Sequence, residues 1–532
     1  MRKSKSGDPL AWYIQPSSHV TLLHIRLPGG DLLMEPFLKR FFPQVLHRHN
    51  QQPGDQDKSN KYCMFNSRWV AFYGISTFVT GLAGCLFAAV VSKRIGYRKL
   101  IFSGTVIYAI GACLQTAAPH GTMLQAGRLV QGLGFGFINQ AVPPYLAELS
   151  PTGRRGMMIG AVQLFAKIGA FLTNLMNYFI IKRAKEGDGG WRMSLSVMSL
   201  PIAWALCLAS ICFLPDTPHR LIHAANDDKG AEHVLRRVRG TYDVREELHA
   251  IIGAGPMSEI TLIRSMKLLK KKKYIPVLIT GMLIPIFTQL TGVNMLGPIM
   301  FRAIGFRQED ALGIETINCL LSLMSTIVVM YYVDKAGRRV WLISGGVMMS
   351  ISLIMLGVIV KAELGKVPSF VMILVFVIGF GASWGPLGVL ITTEIYPSEI
   401  RSLGLGISVA ASFISSGLTS GFYLPLLCFL EYWIFFALAG AVALVTLYVF
   451  MCLPETSGIS LEQMPMLQVW GSNRCWKIFM VDDDEENDEE SATGPSTSVS
   501  TTPSNSSQLS EDTSYASSSS LPKHIELTRN KS

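Results

Sequence analysis

The chain has 532 residues, of which 49% are hydrophobic and only 16% are Asp, Glu, Lys or Arg, and its mean hydropathy is +0.34. Soluble domains carry about 25% charged residues, so this composition excludes a water-soluble globule, a disordered chain, a collagen-like repeat and a disulfide-dense secreted module. What remains is a polytopic membrane protein. The nine Cys contain no CxxC pair, so neither a metal nor a redox framework is expected. The net charge of +10 is unevenly spread: Val481–Ser532 holds eleven acidic and three basic residues, which leaves the preceding body at +18. Its basic residues sit in short clusters between apolar stretches, the pattern of membrane topology rather than of a nucleic-acid surface.

Apolar runs of about 20 residues, the length that crosses a bilayer as a helix, recur along the chain. They lie at Trp69–Val91, Leu100–Ala118, Met123–Leu146, Met157–Ile181, Met193–Leu214 and Ile275–Pro298, then at Ala311–Val333, Val340–Val360, Phe370–Thr392, Ser402–Leu427 and Tyr432–Leu453. The fold class read from them is all-α, with eleven spans. Residues 1–66 supply none: Ala11–Ile14 is cut by Pro16, and Val20–Leu33 is broken by His24, Arg26, Pro28, Gly29, Gly30 and Asp31. They also lack the apolar core and cleavage site of a signal peptide. Loops after the odd-numbered spans, including Pro215–Tyr274 with its run Lys270–Lys273, carry 22 Lys or Arg against 8 in the alternate loops. The positive-inside rule makes the first set cytoplasmic. The acidic run Asp482–Glu490 and the Ser/Thr-rich end cannot bury enough apolar surface to offset ordering, so disorder is expected from about residue 481.

Three local patterns occur twice. Lys93-Arg-Ile-Gly-Tyr-Arg-Lys99 answers Asp334-Lys-Ala-Gly-Arg-Arg339, with glycines 241 residues apart. Glu148-Leu-Ser-Pro-Thr-Gly-Arg-Arg155 answers Glu394-Ile-Tyr-Pro-Ser-Glu-Ile-Arg401 at 246, and Pro215-Asp-Thr-Pro218 answers Pro454-Glu-Thr456 at 239. One near-constant offset implies two similar halves, 67–214 and 275–453. A cytoplasmic helical linker, 215–274, joins them, and a cytoplasmic tail, 454–532, follows. In secondary transporters built this way the site lies between the halves near mid-bilayer. The symmetry also calls for one more span before Trp69. The duplicated polar motifs sit at cytoplasmic span ends, where acids and bases can latch one state of an alternating-access cycle. The latch set is Glu148, Arg155, Arg98, Asp334, Arg338, Arg339, Glu394 and Arg401; plain topology marking by basic loops is the alternative.

Five stretches carry a resemblance: Gly127-Arg-Leu-Val-Gln-Gly-Leu-Gly-Phe-Gly-Phe-Ile-Asn-Gln140, Val142-Pro-Pro-Tyr-Leu-Ala-Glu148, Pro215-Asp-Thr-Pro218, Gln289-Leu-Thr-Gly-Val-Asn294 and Ser383-Trp-Gly-Pro-Leu-Gly388. With them the chain resembles the sugar porters of the major facilitator superfamily, best the plant sugar transport proteins, which are monosaccharide/proton symporters. The resemblance runs from about Gly29 to Met464. It implies a major facilitator fold of two six-helix-like halves, a central hexose site, and coupling between a first-helix Asp and a fourth-helix Arg, here Arg128. The Asp position falls on His24, in a stretch that cannot span, so family-type proton symport is in doubt. The implied sugar contacts are Gln163, Thr288, Gln289 and Asn294, with Ser322, Val389 and Ser412 standing where the family has Asn, Trp and Asn. The resemblance further implies a disulfide between Cys63 and Cys428 beneath an extracellular lid helix, 34–45. A cytoplasmic-loop Arg of the family has become Tyr97, which weakens the N-terminal latch.

The resulting reading is a multi-pass carrier of hexose-type monosaccharides in the plasma membrane, a monomer with the sugar, protons and the lipid bilayer as its partners. No nucleic acid, cofactor, metal or catalytic residue is expected, because no Walker loop, GxSxG or HExxH motif is present. The competing reading is a non-transporting sugar sensor, a decayed paralogue, or a form whose first 28 residues come from an alternative first exon.

Overall fold

In a computed structural model of the chain, the described residues are 34–45, 63, 67–150, 155–183, 189–196, 214–223, 225–240, 244–253, 271, 274–292, 297–397 and 400–455. The chain separates into two compact units, Met1–Asp483 and Asp484–Ser532, and all described residues belong to the first. Among them every regular element is a helix. The N-terminal half contains α1 (Glu35–Phe41), α2 (Arg68–Ile95), α3 (Tyr97–Thr116), α4 (Gly121–Leu149) and α5 (Arg155–Arg183), with a further helical stretch at 189–196. Short polar helices follow: α6 (Pro218–His223), α7 (Asp228–Arg239) and α8 (Arg245–Gly253). The C-terminal half contains α9 (Ile275–Leu290), α10 (Pro298–Ile304), α11 (Gln308–Ala336), α12 (Arg338–Lys361), α13 (Lys366–Ala382), α14 (Trp384–Glu394), α15 (Arg401–Leu430) and α16 (Trp433–Cys452).

Eight helical stretches among the described residues are long and apolar enough to cross a membrane. Their outward faces leave Trp69, Phe87, Leu444 and Phe450 more than half exposed, as lipid-facing positions should be. Helix α4 has the length, 29 residues, but carries Arg128, Gln131 and Gln140 in its middle, all buried. It is an interior helix, wrapped by α2 and α3. Two expected spans are broken rather than continuous. Ile275–Pro298 ends its first helix at Leu290, before Gly292 at φ +78°, and a new helix starts at Pro298. Phe370–Thr392 is interrupted at Ser383, whose φ of −139° and ψ of −90° are not helical, so α13 and α14 are separate segments. Of Met193–Leu214 only residues up to 196 and Leu214 are described; 1–33 and everything beyond Glu455 lie outside the described residues.

The duplicated glycines mark equivalent turns. Gly96 joins α2 to α3 at φ +82°, ψ 156°, and Gly337 joins α11 to α12 at φ +85°, ψ 154°. Positive φ of this kind is a conformation that glycine adopts without the penalty other residues meet.

The two halves meet along two seams, α2 against α15 and α5 against α11. Beside the first, the rings of Phe135 on α4 and Phe413 on α15 stand 5.5 Å apart and perpendicular. At the second, Gly313 faces the Tyr178 ring, and Asn174 Nδ2 lies 3.3 Å from Cys319 Sγ. Above the N-terminal half, α1 plants Phe37 in a nest of Phe41, Phe42, Tyr73 and Trp191, with ring centroids 5.1–6.1 Å away. The Arg40 guanidinium donates to the Pro119 carbonyl at 3.3 Å. Cys63 and Cys428 are paired as a disulfide, with Cα atoms 4.6 Å apart.

Within the N-terminal half the interior helix can approach its neighbours only where side chains are absent. A Cβ on Gly136 of α4 would collide with the Gly81 carbonyl and the Cys85 backbone nitrogen of α2. Gly136→Val is therefore expected to destabilise the purified protein by roughly 1–3 kcal/mol, read as a lowered thermal unfolding midpoint in detergent. An unchanged midpoint would mean that α2 and α4 do not approach so closely.

Candidate functional site

The acid-base motifs of the C-terminal half converge at the start of α12. Arg338 Nη2 lies 3.0 Å from Glu394 Oε1, with 6% and 9% of the side chains exposed. The Glu455 carboxylate accepts the backbone N–H of Arg338 at 2.9 Å and of Arg339 at 3.1 Å. A carboxylate on the free N–H groups of a helix start also meets the positive end of the helix dipole. Arg339 Nη2 donates to the Phe450 carbonyl. One knot thus ties α12, α14 and the end of α16.

The N-terminal half builds its counterpart differently. Tyr97 follows Gly96 where Arg338 follows Gly337, so no guanidinium stands in the place from which Arg338 reaches Glu394. Glu148, the counterpart of Glu394, lies instead beside the Thr217 hydroxyl and within electrostatic reach of Arg401, at the start of α15 in the other half. Arg401 also donates from Nε to the Tyr396 carbonyl at 3.2 Å. The half is closed by Tyr145 Oη donating to the Pro215 carbonyl at 3.0 Å and by Arg220 paired with Asp216 at 2.9 Å. Arg239 adds a bond to the Leu149 carbonyl at 2.8 Å while pairing with Glu247. Arg98 is half-buried beside this cluster and acts on Tyr145. The side chains of Arg155 and Asp334 lie outside the described residues.

Of the expected sugar contacts, Gln163 on α5 and Thr288 and Gln289 at the end of α9 are half-buried, as are Val389 on α14 and Ser412 on α15. Ser322 on α11 is 5% exposed. Asn294 lies outside the described residues. Thr288 and α14 are brought together: a Cβ on Gly388, next to Val389, would come within 2.8 Å of Thr288 Oγ1. Ser322 is drawn to α13, because Thr326 Oγ1 donates both to the Ser322 carbonyl at 2.8 Å and to the Gly381 carbonyl at 3.1 Å. Helix α5, which carries Gln163, packs on α11 and α14.

Arg128 is 2% exposed and lays its guanidinium 3.8 Å over the Tyr73 ring. Its Nε finds no hydrogen-bond partner among the described residues. One turn further along α4, Gln131 Oε1 accepts from Gln115 Nε2 at 2.6 Å.

Three groups escaped the sequence reading. Glu455 was visible as half of a repeated Pro-acid-Thr motif, but its role as a helix-start cap was not. Lys167 and Glu315 are ionisable residues inside the apolar runs Met157–Ile181 and Ala311–Val333. A search of those runs for charge alone finds both, since a charge at membrane depth is expensive and rarely idle.

A family model described as "Sugar (and other) transporter" matches residues 34–467. The chain is 38% identical to the hexose carrier protein HEX6 of Ricinus communis, covering 87% of this chain and 91% of that protein. It is 35% identical to the sugar transport protein MST6 of Oryza sativa subsp. japonica, covering 86% and 88%. Among solved structures, the major facilitator proton:xylose symporter XylE, bound to 6-bromo-6-deoxy-D-glucose, superposes with a TM-score of 0.70 at 20% identity, covering 88% of this chain and all of that one. The same fold is seen in the inward-open form of XylE from E. coli, at a TM-score of 0.64. The family is one of transporters rather than enzymes. With its apolar helices, its two seamed halves and this breadth of similarity, the chain has the fold of the major facilitator symporter on which it superposes, belongs to the sugar transporter family and is a multi-pass membrane protein.

Proposed function

We propose that the chain carries a hexose-type monosaccharide across the plasma membrane, as a monomer, by rocking its two halves about a site between the α2/α15 and α5/α11 seams. The observation that carries this reading is the 38% identity to a hexose carrier over 87% of the chain. Gln163, Gln289 and Asn294 supply the amides that both donate to and accept from ring hydroxyls, with Thr288, Ser322, Val389 and Ser412 lining the remainder. Arg128 is the coupling residue, and its unpaired, ring-stacked guanidinium is placed to receive a carboxylate or a substrate hydroxyl. Residues 215–274 link the halves on the cytoplasmic side, and 454–532 form the tail there. Coupling through a first-helix Asp is not part of the proposal, since His24 occupies that place in the sequence.

Equilibrium exchange of radiolabelled D-glucose by the full chain in liposomes tests the reading. No exchange of any monosaccharide would leave the sensor reading in its place. One amide hydrogen bond contributes about 0.5–1.5 kcal/mol, so Gln163→Ala is expected to raise the half-saturating sugar concentration by about 2- to 13-fold with the protein still folded. An unchanged value would remove Gln163 from the site.

The latch makes a separate demand. Breaking a buried ion pair by removing one partner costs about 3–5 kcal/mol, so Arg338→Met is expected to lower the unfolding midpoint markedly. It should also raise the reactivity of a cysteine placed at Thr393 toward a cytoplasmic thiol reagent. The double variant Arg338→Met/Glu394→Leu should recover much of the stability but not the closed state. Recovery of both would make the pair a strut without a gating role.

A further inference from the structure

Two opposite charges stand at membrane depth on the seam between the halves. Lys167 lies midway along α5, one turn beyond Gln163, and Glu315 lies two turns into α11. Lys167 Nζ is 5.2 Å from the centre of the Phe380 ring on α13, and no carboxylate among the described residues reaches salt-bridge distance from it. Across the seam it acts electrostatically on Cys319 and Glu315. Glu315 Oε1 accepts from Cys319 Sγ at 3.7 Å, and that sulfur accepts from Asn174 Nδ2 of α5 at 3.3 Å. A continuous polar chain therefore crosses from one half to the other. Glu315 Oε2 is buried and makes no hydrogen bond. Beside the carboxylate lies Asn318, 3% exposed, with neither amide atom in a well-formed bond.

The chemistry of the pair is unequal. An ion left alone in such surroundings costs several kcal/mol, and whichever group sheds its charge more readily will do so when the two are drawn apart. The Phe380 ring favours the ammonium form of Lys167. Once Lys167 recedes, the carboxylate keeps only neutral donors from its own helix, Asn318 and Cys319. Asn318 suits Glu315 in either state, because its N–H donates to a carboxylate and its carbonyl accepts from a carboxylic acid. Other ionisable groups on the packed elements are turned elsewhere. Tyr178 of α5 faces Gly313, and Arg302 of α10 donates to the Phe306 carbonyl. Lys366 of α13 lies over the Phe306 ring, Glu394 of α14 is held by Arg338, and the charges of α12 sit at its ends.

We infer that Glu315 is a proton-carrying residue of the transport cycle, kept ionised by Lys167 while α5 and α11 are together and protonated as that seam parts. In the uptake step a hydronium ion gives its proton to Oε2, forming an O–H bond and leaving water. The reverse step returns the proton to water on the other side when the seam closes again. This inference rests on the carrier reading above, and it adds a proton-carrying group on the α5/α11 seam to the coupling residue Arg128 of α4.

Two measurements on the full chain test it. The first reads the carboxyl without transport. A hydrophobic carbodiimide, which modifies protonated carboxyls in apolar surroundings, should label Glu315 increasingly as pH falls, as followed by mass spectrometry of the purified protein. Lys167→Met should move the onset of labelling upward by about 1–3 pH units, because an adjacent cation favours the ionised form. An onset that does not move overturns the inference, whatever the variants do to transport. The second measurement uses liposomes and D-glucose. Accumulation driven by an imposed proton gradient should be present in the parent chain and lost in Glu315→Gln. Gradient-driven accumulation that survives Glu315→Gln overturns the inference while leaving the carrier reading intact. Absence of glucose exchange in the parent chain counts against the carrier reading instead, and the labelling experiment still decides the behaviour of Glu315.

Discussion

At the start of α12 in the C-terminal half, Arg338 and Glu394 meet at 3.0 Å with less than a tenth of either side chain exposed. Neither charge has water to fall back on, so the geometry around them is constrained from several directions. Glu455 fixes the start of α12 through two backbone N–H groups, and Arg339 reaches the last turns of α16. Helices that would otherwise be free to slide in lipid, where apolar contacts give little driving force between them, are pinned at one point. A carrier that rocks needs halves that move as bodies, and this knot makes a body of one of them.

The other half satisfies the same constraint without the same residues. With Tyr97 in place of a guanidinium, its closure falls to Tyr145 on the Pro215 carbonyl, Arg220 on Asp216 and Arg239 on the Leu149 carbonyl. These contacts recruit the segment after the N-terminal spans instead of a third span. Glu148 is freed from its own half and stands near Arg401 of the other. A charge that closes one half upon itself in the C-terminal copy thus reaches across the interface in the N-terminal copy. The duplicated motifs differ at several positions, among them Lys93 against Asp334 and Tyr97 against Arg338, and their contacts differ with them.

Much of this was legible in the residues. Runs of apolar length marked the all-α class, with eight stretches among the described residues able to span, and the repeated glycine turns, Gly96 and Gly337, took matching backbone angles because both carry positive φ. Of the acid-base motifs at span ends, Arg338 and Glu394 come together as an ion pair. The breaks at Gly292 and Ser383 were not legible. Ser383 sits in an unbroken apolar stretch, and its hydroxyl returns to the Gly379 carbonyl at 2.7 Å, a local bond that no hydropathy pattern records. Helix α4 posed the opposite problem. Its polar centre looks unfit for lipid, yet it is sheltered by α2 and α3, and shelter is a property of packing rather than of sequence. Position-by-position likeness also directed attention to the amides and away from Lys167 and Glu315, which lie outside the five stretches that carry the resemblance.

Those two residues change how the interior is understood. On the likeness to plant sugar transport proteins, the C-terminal half has exchanged two amides for Ser322 and Ser412 and an aromatic ring for Val389. Each exchange removes a hydrogen-bonding or stacking surface from the hollow and leaves the apolar wall larger. The facing seam carries an ammonium, a carboxylate and the buried amide of Asn318. Hydrogen bonds to charged groups contribute about 1.5–3 kcal/mol against about 1 for neutral ones, so the polar capacity of the interior is moved and sharpened rather than lost. Capacity that sits on the seam, unlike capacity on one wall, changes whenever the halves move. That makes the interior of this chain sensitive to its own conformation in a way that a ring of neutral amides is not.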